Sequence, residues 1–358
     1  MPMLRVCIAT VLAAVLAACE TTPQRAEVVA PPPDPTRSAM NNANSAYRSG
    51  DDAVALSLYL PLARAGHRDA QIRVASIYSR NKGVPVNQGE SCNWWEAAAR
   101  QNDANAANNI GRCFESGEGR SQSHPDAAIW YRRAADGSSA YGMYNLGLAH
   151  EYGRGVAQSF EIAAEWFRKA LAVKLDAGDN ADAQRHLKRS MNHVGAARGD
   201  PQALHDLAID LFNGHAPEIK DVPRAAATMR EAATRGTLPE AWYIYGAWLQ
   251  TGFGVKSDLP QAAVWMKKAS DAGHEQASIR YANIMLCGIG VRKDPAAGER
   301  LLRQTVDHGS WLAMSELSEW YNRGDCGFKK DATLGRQWRE KADAAQLAAT
   351  ELRLKQRQ

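Results

Sequence analysis

The 358-residue chain has no Gly-x-Ser-x-Gly elbow and no phosphate loop. It therefore lacks the two short motifs that most directly announce a serine hydrolase or a nucleotide site. It also lacks an excess of one charge: the net charge is +4, and the basic residues are spread along the chain. That balance points to neither nucleic acid nor an acidic small-molecule substrate. Between Glu20 and Ser38 bulky apolar residues are almost absent, and five prolines stand there instead. Such a segment cannot bury a core and reads as an extended tether. Over the whole chain 45% of residues are apolar and 23% charged, an ordinary globular balance.

Several partial motifs fail on inspection. His150-Glu151 opens like a zinc-protease motif, but Arg154 stands where the second histidine belongs. His186 and His193 are seven residues apart and share a helical face, yet no third ligand accompanies them. Ser79-Arg80-Asn81-Lys82 matches Ser-x-x-Lys without the Lys-Thr-Gly or Ser-Asp-Asn partners. The carboxylates are scattered over helix surfaces. No catalytic residue, metal or cofactor is expected, and the chain is read as a non-enzyme.

What the chain does contain is a repeat. The second glycine of a Gly-x-Gly turn recurs at Gly83, Gly119 and Gly155, and again at Gly254 and Gly290, in steps of 36 within each set. Trp-x-x-x-Ala follows the same beat at Trp94, Trp130 and Trp166, then at Trp265 and Trp338, with Leu301 in the skipped slot. Each unit reads as two helices. The first ends at the glycine turn, where a left-handed residue closes a helix. The second opens on an N-cap aspartate, often with proline in its first turn, as at Asp221, Asp258 and Asp294. It closes at Gly66, Gly137, Gly236, Gly273 or Gly309, with Asn102 in the equivalent slot of another unit. The tryptophans of the beat read as packing between repeats. The less regular Trp242, Trp248, Phe253 and Trp311 are candidates for an exposed binding surface.

Asn145-Leu146-Gly147 with Gly153-x-Gly155-Val156 and Ala163 to Ala170, and Gly252 to Val255 with Ala262 to Ala269, resemble the Sel1-like repeat family, a relative of the tetratricopeptide repeat. The resemblance covers residues 70–173 and 200–345 and implies an all-α, right-handed α-solenoid of about seven helix hairpins. A further tetratricopeptide-like unit is expected in 38–66. The organisation expected is thus an N-terminal solenoid block at 38–173, an extra helical insertion at 174–199 that fits no repeat, a C-terminal block at 200–345 and a basic, frayed tail at 346–358. One unit departs from the pattern, with Cys326 where the second glycine belongs.

The first 18 residues read as a signal peptide: one arginine, a short apolar run and small residues before Cys19. Leu16-Ala17-Ala18-Cys19 resembles a bacterial lipobox, which implies lipidation of Cys19, with residues 19–37 as the tether. Glu20 fits the outer membrane, facing the periplasm. Apart from Cys7 and Cys19, four cysteines remain, and in an oxidising compartment they allow three pairings. Positions within the repeats favour Cys92 with Cys113 and Cys287 with Cys326; buried free thiols are the alternative. The family resemblance implies a membrane-anchored scaffold that binds envelope proteins, as in exopolysaccharide export. The other readings are a regulator that binds an envelope sensor kinase and a cell-wall or β-lactam-related enzyme.

Overall fold

In a computed structural model, residues 35–215 and 218–355 are described. They form seventeen α-helices and, among the described residues, no strand. Sixteen of the helices pair as antiparallel hairpins: α1 Pro35–Ser49 with α2 Asp52–Arg64, α3 Arg68–Tyr78 with α4 Gln88–Arg100, α5 Ala104–Ser116 with α6 His124–Asp136, and α7 Ala140–Tyr152 with α8 Phe160–Val173. After the single helix α9 Ala177–Ala197 come α10 Pro201–Asn213 with α11 Val222–Arg235, α12 Pro239–Thr251 with α13 Leu259–Asp271, α14 Glu275–Cys287 with α15 Pro295–Asp307, and α16 Trp311–Arg323 with α17 Ala332–Lys355. Successive hairpins stack, so the chain is an α-solenoid. Cys19, the signal peptide and the tether up to residue 34 lie outside the described residues.

Local chemistry sets the helix ends. Asp221, Asp258 and Asp294 cap α11, α13 and α15 by accepting the backbone N–H of Arg224, Gln261 and Ala297. The first glycine of each turn, such as Gly153 or Gly252, is the left-handed cap of the preceding helix. The second glycine has a different task. A Cβ on Gly119, Gly155, Gly254 or Gly290 would overlap the backbone that opens the second helix of the previous hairpin, at Gln88, His124, Val222 and Leu259 respectively. Repeat stacks on repeat through backbone contact that only glycine allows. Small side chains continue that closeness: Ala98, Ala134, Ala163, Ala170, Ala225 and Ala269 are all completely buried.

A polar ladder accompanies the apolar stack. Ser139, which caps α7, also donates to Asn105 at 3.0 Å. His274, which caps α14, pairs with Glu240 at 2.7 Å, and Ser310, which caps α16, donates to Glu275. Each cap therefore satisfies its own helix and grips the hairpin before it.

Several expected boundaries shift. The described residues are helical from Pro35 on, so α1 takes in Pro35 to Arg37, which the sequence assigns to the tether. The tail read as frayed from 346 continues as helix to Lys355, at the end of a 24-residue α17. At α6 the left-handed residue is Ser138 rather than Gly137, and Gly236 is extended. Only one helix occupies 174–199, and it takes two roles. Its N-cap Asp176 accepts the Tyr141 hydroxyl at 2.7 Å, the rung that the first helix of a hairpin would make. Its C-terminal end leads through a three-residue turn with left-handed Gly199 into α10, as a second helix would. α9 is a hairpin collapsed into one helix.

The glycine contacts supply a paired test. Gly83 and Gly155 share nearly the same φ, +73° and +72°, but a Cβ on Gly83 meets nothing within 4 Å. Gly83→Ala should cost about 1 kcal/mol from backbone strain alone. Gly155→Ala adds a clash with the His124 carbonyl and should cost about 3 kcal/mol or more. Urea unfolding of both variants reads the difference; equal losses would mean that the close approach is not limiting.

Candidate binding surface

The aromatic candidates separate once the helices are placed. Trp242 is 5% exposed, and its indole N–H donates to the Ala233 carbonyl at 2.8 Å. It belongs to the core between α11 and α12, which corrects its reading as a surface residue: it stands on the face of α12 that turns toward the small Ala232 and Ala233. Trp248 and Phe253 instead gather around Phe212. The Trp248 and Phe212 rings stack at 5.4 Å, Phe253 lies 5.1 Å from Phe212, and Phe253 is 41% exposed. Lys220 stands over the Phe212 ring at 5.6 Å. This aromatic ledge follows the C-terminal ends of α10 and α12. Phe212 escaped the sequence reading because its repeat lacks the Gly-x-Gly that would have aligned it. Trp311 is half-buried and lines a separate cleft of about 610 Å³ with Ala349 and Arg353 from the extended α17.

The regular tryptophans are not uniformly core either. Trp166 is buried, but Trp94, Trp130, Trp265 and Trp338 are half-buried. Cations three residues later cover four of them: Arg133 on Trp130, Lys169 on Trp166, Lys268 on Trp265 and Lys341 on Trp338. The repeat thus carries Trp-x-x-Lys/Arg-Ala, in which the cation shields the exposed ring face while its charge stays in water.

The disulfides run between neighbouring hairpins. Cys92 of α4 joins Cys113 of α5, with Cα atoms 6.2 Å apart. Cys287, at the end of α14, joins Cys326, after α16, with Cα atoms 4.7 Å apart. Each staples one block, and neither crosses α9. Ser79, the first residue of the Ser-x-x-Lys match, donates its hydroxyl to the Ser76 carbonyl at 2.8 Å. Among the described residues no group of three His, Cys, Asp or Glu side chains could hold a metal ion, and no helix is long and apolar enough to cross a membrane.

The block junction holds the most unusual chemistry. His186 and His193 both face the N-terminal block from α9, but they meet different partners. His186 Nδ1 lies 2.6 Å from the fully buried carboxylate of Glu151, within a shell of Tyr144, Tyr152 and Phe167. His193 stacks flat on Phe160, with ring centroids 3.6 Å apart and planes 4° apart. A regular repeat would place a turn glycine against the start of α8; the collapsed repeat places an imidazole there. The His193 side chain is 8% exposed. Glu218 Oε1 lies 3.3 Å from Nε2, yet that nitrogen has no hydrogen-bond partner. His193 is among the residues that line a cleft of about 710 Å³ between α8, α9 and the segment entering α11.

Six Sel1 repeats match the chain, at residues 68–103, 104–139, 140–172, 239–274, 276–310 and 311–342, which together span more than half of it. The chain belongs to the Sel1 repeat family. The matches cover α3 to α8 and the helices from α12 onward, while the α1–α2 and α10–α11 hairpins lie outside them. Among proteins of known sequence, the chain is similar to chitin synthase regulatory factor 3 of Schizosaccharomyces pombe, with 26% identity over 142 residues, 39% of this chain and 15% of that protein. Among solved structures, it is similar to a protective antigen of uropathogenic Escherichia coli strains with an SLR fold, at 21% identity and a TM-score of 0.39, covering 89% of this chain and 65% of that one. A Sel1 repeat protein from Oxalobacter formigenes shares 20% identity at a TM-score of 0.36, covering 85% of this chain and 96% of that one.

His193 makes the Sel1-repeat junction acid-sensitive. Burial lowers its pKa from 6.5 to about 4, against the opposing pull of Asp210; Arg224 and Arg189 lower it further, and Glu218 lies against its Nε2 at 3.3 Å. The unfolded chain binds this proton near pH 6.5, whereas the folded chain resists it down to about pH 4. The stability that the neutral ring supplies above pH 6.5 is therefore lost as pH falls through that window, by an amount on the order of 2 kcal/mol. His193→Phe keeps the stack and removes the proton. Urea midpoints measured from pH 7 to pH 4 should fall less steeply for His193→Phe than for the wild type; parallel slopes would show that another group carries the acid sensitivity.

Proposed function

We propose that this Sel1-repeat chain is a non-catalytic, lipid-anchored periplasmic scaffold that holds envelope proteins against its solenoid surface. The observation that carries the reading is the Phe212–Trp248–Phe253 ledge. Phe253 is left 41% exposed, and the half-buried Phe212 and Trp248 rings that it joins rest on the core on one side and meet a lysine on the other. Rings of this kind anchor protein interfaces, and a solenoid presents them along an extended surface. The lipobox-like Leu16 to Cys19 and the proline-rich tether supply the anchor in this reading. An outer-membrane exopolysaccharide export assembly is the specific setting proposed. The Ser79 hydroxyl, bonded to the Ser76 carbonyl, favours the scaffold over β-lactam or cell-wall chemistry.

Cross-linking in intact cells followed by co-purification tests the proposal. The wild-type chain is expected in the membrane fraction with envelope proteins bound, and Cys19→Ala in the soluble periplasmic fraction. Phe253→Asp, at an exposed position, should lower partner recovery about tenfold. Recovery of a porin or polysaccharide synthase component supports export, whereas recovery of a sensor kinase replaces export with regulation. Hydrolysis of a β-lactam or glycan that Ser79→Ala abolishes would overturn the scaffold reading.

A further inference from the structure

We propose that the cleft between α8, α9 and the start of α11 is a docking site for a short acidic peptide segment of a partner protein, carrying an apolar anchor residue. The inference rests on the scaffold reading and adds the chemistry of one partner.

The cleft owes its existence to the collapsed repeat. Everywhere that a glycine turn stacks on the preceding hairpin, backbone closes the gap; here α9 supplies only the flat His193 ring, and about 710 Å³ stays open beside it. Its walls are apolar where a side chain would enter: the Phe160 ring, Val222, Pro223 and Ile219. Ile219 is 86% exposed, the highest value among the exposed large apolar side chains described. An isoleucine so placed gains from a covering group what it now forfeits to water.

Charge selects the sign of that group. The two carboxylates on the rim are already engaged. Asp221 caps α11 by accepting the Arg224 N–H, and Glu218 accepts from the Arg224 guanidinium at 3.2 Å. Lys220 has no carboxylate partner among the described contacts and stands over the Phe212 ring. The N-terminal ends of α8 and α11 both open on the cleft, adding partial positive charge. His193 also lines this space, but its Nε2 is shut off from solvent and lies 3.3 Å from Glu218 Oε1. A carboxylate beside an apolar side chain meets both demands, the positive charge at Lys220 and the helix ends and the exposed apolar wall at Ile219. Lys220 also links the cleft to the aromatic ledge, so a bound segment can continue from one onto the other.

The test uses the purified full-length chain in mild detergent and fluorescence anisotropy with the fluorescein-labelled peptides DDLFDD, KKLFKK and DDGGDD. Saturable binding is expected for DDLFDD, with affinities at least about tenfold weaker for the other two. Lys220→Glu and Ile219→Asp, both at exposed positions and checked for folding by circular dichroism, should each weaken DDLFDD about tenfold. The proposal is overturned if the wild type does not bind DDLFDD, if KKLFKK binds as well, or if both variants bind like the wild type. Cross-linked co-purification separates the two readings. Partners recovered equally by wild type and Ile219→Asp remove the cleft and leave the scaffold; no partner recovered by wild type removes the scaffold itself.

Discussion

The contact on which the solenoid depends is the approach of one turn's second glycine to the opening backbone of the previous hairpin's second helix. At Gly119, Gly155, Gly254 and Gly290 a methyl group would enter the backbone of the neighbour. That closeness sets the spacing between hairpins, and the spacing in turn permits alanine at the helix interfaces. It also brings each first-helix cap within reach of the preceding hairpin, as Ser139 reaches Asn105 and His274 reaches Glu240. The apolar stack and the polar ladder are consequences of one steric allowance. Where that allowance is withdrawn the alternatives are visible: Cys326 takes a left-handed conformation with φ of 50° and is tied back to Cys287 by a disulfide.

The fold was legible because its determinants are local and repeated. A glycine that must be left-handed, a capping Asp, Asn or Ser and, in most repeats, a tryptophan at fixed offset recur along the solenoid, so register identifies them. The α10–α11 hairpin is harder to read, since Asn213-Gly214-His215 breaks the glycine pattern while Asp221 and Pro223 keep the helix start. α9 was opaque for a deeper reason. Its two ends obey the rules of two different helices, and no single repeat register fits both. Only the placement of Asp176 against Tyr141 and of Gly199 before α10 reveals the compression.

The binding surface was legible only in part, because irregularity is an ambiguous signal. Trp242 and Trp248 both depart from the tryptophan beat and lie six residues apart on α12. That interval is far from a whole number of helical turns, so they face different ways: one fills the core against Ala233, and the other stacks on Phe212. Sequence distinguishes an odd aromatic residue from a regular one, but the side it faces depends on the neighbouring hairpin. The repeat tryptophans carried a clearer clue in the lysine or arginine three residues on, since a cation at that offset covers a ring that is not fully enclosed.

Collapsing a hairpin also redistributes where the molecule is held. Each disulfide staples neighbours within one block, at Cys92–Cys113 and Cys287–Cys326. The α9 junction has no covalent staple and relies on packing and on buried polar groups: Glu151 against His186, and His193 against Phe160. Removing one member of a buried pair such as Glu151–His186 leaves the other without compensation, so the junction is specific but intolerant of change. The same missing turn that forces this arrangement also opens the cleft beside His193. A regular solenoid would have buried the start of α8 under glycine backbone. Here the protein trades that closure for an open, partly apolar recess where a hairpin is reduced to one helix, so the docking site proposed above falls where the stack lacks its glycine contact.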